Sequence, residues 1–138
     1  MSDESLTVEE RRAARKAQLA DAEKAQRELD LEAIDALEVQ HGDSNIAVLR
    51  VPYADGFPVL VAVRTPKEPE VKRFRARVKS DDKDQHTAAC AEVGESCVVY
   101  PARDVFAQLA KQRPNLTVDA GLAALNLSRA SKDAEGKA

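Results

Sequence analysis

Tryptophan is missing from this 138-residue chain, and only Tyr53, Phe57, Phe74, Tyr100 and Phe106 are aromatic. Two cysteines cannot make a disulfide framework, which sets aside the small cross-linked secreted scaffolds. Five scattered glycines leave no Gly-rich loop to cradle a phosphate. No stretch approaches the ~20 apolar residues of a transmembrane helix. The opening MSDESLTVEERRAARK is charged where a signal peptide would be apolar, so the sequence reads as an intracellular protein with free thiols. Net charge is small as well, at −3, although 33% of the residues are charged. The chain as a whole therefore has no field that favours nucleic acid or an anionic membrane.

The small net charge conceals a division along the chain. Residues 1–40 carry 6 basic and 11 acidic groups, net −5, whereas residues 50–79 carry 8 basic and 3 acidic groups, net +5. The first 40 residues also contain no Gly, Pro or aromatic, while every aromatic lies between positions 53 and 106. Large side chains make cores, so the core belongs to the middle of the chain and the N-terminal segment is in part an appendage.

Thr7 and Glu10 have capping-box spacing, and behind them runs a long Ala/Glu/Arg/Lys-rich helix stopped near Gly42. Leu29, Leu31, Ile34, Leu37 and Val39 make its closing part the apolar section expected to dock, with residues 8–28 projecting. Two β-branched runs, 46–51 and 59–65, flank an Asp55-Gly56 turn and read as a hairpin covered on both faces. Pro69 suits the first position of a helix carrying Val71, Phe74 and Val78. A further helix is expected from Asp81 to Val93, ended by Gly94, then an extended run at 96–100. Two last helices follow, at 102–112 and from a Thr117 cap to Leu127. The order predicts an α+β fold, a small sheet covered by short helices with a long charged N-terminal helix. It divides the chain into an arm at 1–28, a compact domain at 29–128 and a disordered tail at 129–138.

His86 and Cys90 share a helical spacing with Cys97 nearby, but structural zinc needs four ligands and His41 is 45 residues from His86. No nucleophile, base or cofactor constellation stands out either, so no enzyme, metal or cofactor is expected. The most concentrated charge is Lys72, Arg73, Arg75, Arg77 and Lys79, one face of the helix that begins at Pro69. These five are the candidate partner-binding residues. They would meet an acidic protein surface, either in a partner or in this chain's arm or Asp81-Asp82-Asp84; as a lesser alternative they would meet phosphates in a small nucleic-acid module.

Arg64-Thr65-Pro66, Glu70-Val-Lys-Arg73-Phe74 and Cys97-Val-Val-Tyr-Pro101, followed by Phe106, Leu109 and Pro114-Asn-Leu116, come in an order that resembles the small tail assembly chaperones of long-tailed bacteriophages. The similarity spans roughly residues 45–127, and the last motif lacks an aromatic before Pro114. The resemblance implies a non-enzymatic chaperone in the host cytoplasm that binds the tape measure protein or tail tube components during morphogenesis. A structural virion protein, minor tail or head-tail, is the alternative. Self-association, including a coiled coil through the arm, is also open.

Overall fold

A computed structural model describes residues 6–129, and the expected tail lies outside them apart from Arg129. Thr7 caps the first helix, α1, which runs unbroken from Val8 to His41. The Thr7 hydroxyl accepts from the Glu10 amide at 3.1 Å, as the capping spacing predicts, and donates to the Glu10 carboxylate at 3.0 Å, which reaches the hydroxyl in place of the Thr7 amide of a full capping box. The helix has 34 residues, a length of about 50 Å at 1.5 Å per residue. It ends where Gly42 adopts φ +90°, a conformation strained for any residue with a Cβ.

The hairpin forms as expected. Strands β1 (Ile46–Arg50) and β2 (Leu60–Arg64) pair antiparallel, with Ile46 opposite Arg64 and Arg50 opposite Leu60, and Gly56 takes φ +82° in the loop. Helices α2 (Glu68–Arg77) and α3 (Lys83–Cys97) follow, then β3 (Val98–Tyr100), α4 (Arg103–Gln112) and α5 (Leu116–Leu127). β3 pairs antiparallel with the free side of β2, so the sheet order is β1-β2-β3 and β2 is central. The fold is α+β, a three-stranded sheet between helices with the long helix at its N-terminus.

The continuous apolar run of β2 follows from its central place, because both of its faces are covered. Val61 and Val63 pack with Val93, Cys97, Phe106, Leu109, Ala120 and Ala124 from α3, α4 and α5. Leu60 and Ala62 turn the other way and meet Ile34 of α1. β1 is at the edge, where Val48 remains 43% exposed.

Several local expectations are corrected. Gly94 does not end α3, which continues through Ser96 to Cys97. The residue lies where α3 crosses α5: a Cβ there would collide with the Thr117 carbonyl, and one on Gly121 would collide with the Cys90 carbonyl. Two mid-helix glycines thus allow backbone-to-backbone approach, a tertiary demand that outweighs their low helix propensity. Pro69 stands second in α2, which begins at Glu68, and α5 begins at Leu116 rather than after a Thr117 cap. In α1, Ile34 is buried and Leu37 half-buried as expected, but Leu29, Leu31 and Val39 are 63%, 49% and 79% exposed, so only part of the expected apolar face docks. Its actual docking face is Glu23, Gln26, Asp30, Ile34, Leu37 and His41, spaced three or four apart, and only Asp30 and Ile34 of these are fully buried.

Candidate protein-binding surfaces

Four of the five candidate cations, Lys72, Arg73, Arg75 and Arg77, lie on α2 as expected, whereas Lys79 falls in the turn after it; much of their charge is answered within the chain. Lys72 pairs with Glu68 one turn away at 3.2 Å. Arg73 reaches Glu92 of α3 at 3.3 Å, and Arg77 binds the other oxygen of the same carboxylate and Gln85. Arg75 and Lys79 stay exposed without an ion pair among the described residues. The acidic neighbour of this helix is therefore Glu92, not the arm or Asp81-Asp82-Asp84. Phe74 and Val71 turn toward the domain and are half-buried, Phe74 against the main core.

The residues that carry the family resemblance build a joint between β2, α2 and α3. Arg64 makes a two-pronged ion pair with Glu70, at 2.9 and 3.1 Å, and also donates to the Ser96 carbonyl at 2.9 Å. Glu70 accepts from the Lys67 amide at 2.7 Å, so one carboxylate holds the start of α2 to the end of β2. The Arg64 hydrogen bonds hold the Glu70 carboxyl below the usual carboxylate range. Beneath them Cys97 is fully buried, and burial, reinforced by Glu70 and opposed by Arg64, pushes its thiol up to about 11. These are the bonds of a packed corner. Among the described residues, no group of three or more His, Cys, Asp or Glu could hold a metal ion, and the His86 ring is engaged by the Ser80 carbonyl.

The contact of α1 with the sheet centres on Asp30. One carboxylate oxygen accepts from the backbone amides of Val59 and Leu60 at 2.8 and 3.2 Å; the other accepts from the Gln26 side chain at 3.0 Å and from the Tyr100 hydroxyl. β3 pairs with β2 no further than Ala62, so the Leu60 amide has no strand partner there and the carboxylate supplies one. Burial, together with the hydrogen bond to Asp30 and its charge, raises the Tyr100 hydroxyl pKa. No side chain was assigned to this role from the sequence. A helix-spaced row through Asp30 and Ile34 was its only signal, and an Asp in a charged helix ordinarily faces water.

Past Glu23, which pairs with Arg50 at 3.2 Å, α1 leaves the domain. Its docking side nevertheless continues as Leu19, Arg15, Arg12 and Val8, spaced four, three and four residues apart with no strand beneath. Leu19 is 52% and Val8 60% exposed. At the base of this segment, Arg15, Gln18, Leu19 and Ala22 face Tyr53 and Asp55 of the hairpin loop across an open cleft of about 400 Å³. The arm's charge is also redistributed: residues 8–22 hold four basic and three acidic groups, whereas 23–41 hold two and six. The acidic excess therefore belongs to the part that docks, and the projecting part is slightly basic. No family model, curated protein or solved structure matches the chain. No helix among the described residues is long and apolar enough to cross a membrane.

Proposed function

We propose that this protein is a non-enzymatic assembly chaperone that holds another protein, as its resemblance to phage tail assembly chaperones implies. Its partner would be the tape measure protein or a tail tube component, met in the host cytoplasm. The observation that carries the reading is the continuation of the α1 docking side beyond the domain. Val8, Arg12, Arg15 and Leu19 present two apolar groups and two cations on one face, ending in a cleft beside Tyr53. Such a row suits an amphipathic helix with acidic margins, which would lay its apolar positions on Leu19 and Val8. The α2 cations support partner binding less, because Glu68 and Glu92 already occupy three of the five.

The test is capture of partners from infected host cells with the full chain and with an Arg12→Glu, Arg15→Glu, Leu19→Ser variant, read by mass spectrometry. A long helical tail protein recovered by the parent and lost by the variant is the expected outcome, with the chain absent from mature particles. Retention in purified particles would favour the structural virion component instead. Capture of nucleic acid that falls steeply with salt would favour the nucleic-acid module.

A further inference from the structure

A different flank of α1 has a pattern that neither its docking side nor its projecting end explains. Lys24, Arg27, Leu31, Asp35 and Glu38 are spaced three, four, four and three residues apart. At 100° per residue they fall within an arc of about 80° on one side of the helix. The row reads cation, cation, leucine, anion, anion and is centred on Leu31. Turned end for end about that leucine, it places Arg27 on Asp35, Lys24 on Glu38 and Leu31 on itself. Leu31 is 49% exposed, Lys24 and Asp35 are exposed, and Arg27 and Glu38 are half-buried at the margin of the docking face. None of the four charged groups has an ion pair within the chain among the described residues, although Lys24 has Glu28 and Arg27 has Glu23 one turn away.

We propose that this flank is a self-association surface, on which α1 of a second copy packs antiparallel about a two-fold axis through Leu31. A two-fold contact must be self-complementary, each residue finding on its partner the group its own counterpart seeks. This row meets that requirement at all five positions. An unrelated acidic or basic partner would satisfy only half of it. The flank is turned away from the row Val8, Arg12, Arg15 and Leu19, so the inference goes beyond the proposed function and leaves that surface open. The two copies would send their N-terminal segments in opposite directions, giving a pair of outward arms.

The experiment is sedimentation equilibrium on the full chain and on charge-reversal variants whose folding is checked by circular dichroism. The parent should dimerise, more weakly at high salt because the pairs lie at a wet margin. Arg27→Glu alone and Asp35→Arg alone each turn two attractions into repulsions and should weaken the dimer about tenfold. The two variants mixed should form a heterodimer of near-parental strength. In that pair the introduced carboxylate meets the introduced guanidinium, and the retained Arg27 of one copy meets the retained Asp35 of the other. A chain carrying both changes should recover as well. A monomeric parent, a dimer indifferent to either reversal, or a mixture no stronger than its components would each overturn the proposal.

Discussion

On one side of the sheet Val61 and Val63 are buried by three helices whose contact is almost wholly apolar, tightened where Gly94 and Gly121 let α3 and α5 touch backbone to backbone. On the other, Leu60 and Ala62 meet one isoleucine of α1, and the contact is completed by a carboxylate that takes four hydrogen bonds. The first side is held by area and fit, which many side chains share. The second is held by direction, because Asp30 must find two particular amides and one particular hydroxyl. A polar joint of this kind fixes one helix at one place and angle while burying little of it. About half of α1 is thereby left off the domain.

The apolar side should give the largest effect when broken. Phe106 is 3% exposed in the main core, and Phe106→Ala should cost about 3–5 kcal/mol, read as a lowered denaturant midpoint. On the polar side, Asp30→Asn keeps the shape but turns an NH₂ group toward donors. With buried donors left unmatched it should cost about 2–4 kcal/mol. A loss within the range of ordinary surface substitutions, about 0.5 kcal/mol, would show that the carboxylate is incidental.

A smaller effect separates two truncations of the arm. Among the described residues, removal of 1–18 takes away the exposed start of α1, Val8 to Gln18, with Leu6 and Thr7 before it, and should leave stability within about 0.5 kcal/mol of the parent. Removal of 1–28 also takes the Gln26 bond to Asp30 and the Glu23 pair with Arg50, and should cost about 1–2 kcal/mol. Equal midpoints for the two would place the start of docking after residue 28.

Alkaline pH probes both sides at once. The pKa values of Cys97 and Tyr100 are raised in the folded state, so folding favours their neutral forms. The stability each contributes is complete below its unfolded pKa and is lost as pH rises. For Cys97 the loss falls between 9.0 and about 11, and for Tyr100 it begins above 10.0. Tyr100→Phe should flatten the upper part of that decline. At acid pH the sign reverses for Glu70, whose contribution is present above 4.5 and lost as pH falls.

What was legible in the sequence was local. The Thr7 cap, the hairpin around Gly56 and the amphipathic spacing of α2 and α4 each follow from neighbours a few residues apart, and together they define the fold class and the order of elements. Gly94 was misread because a glycine in a helix signals an end unless another helix is known to pass beside it. That helix lies more than 20 residues further on. The docking of α1 was placed in the right section, with Ile34 and Leu37 on its face, but the rest of that face was misread for the same reason. Leu29, Leu31 and Val39 look like a core face, whereas Asp30 acquires its role only from donors 29, 30 and 70 positions away. Among the candidate partner-binding residues, the basic row on α2 was visible in composition, but its neutralising partner Glu92 was not.

α1 is thus one helix with two fates, fixed from Glu23 onward and unsupported before it. Hydrogen exchange of the α1 amides, compared between the full chain and Asp30→Asn, tests this most directly. In the parent, amides near Asp30 and Ile34 should exchange close to the rate of global unfolding, while those from Val8 to Leu19 should exchange far faster. Asp30→Asn should erase most of that difference by releasing the protected half. Uniform protection from Val8 to His41, or a profile unchanged by the substitution, would contradict a helix of two fates.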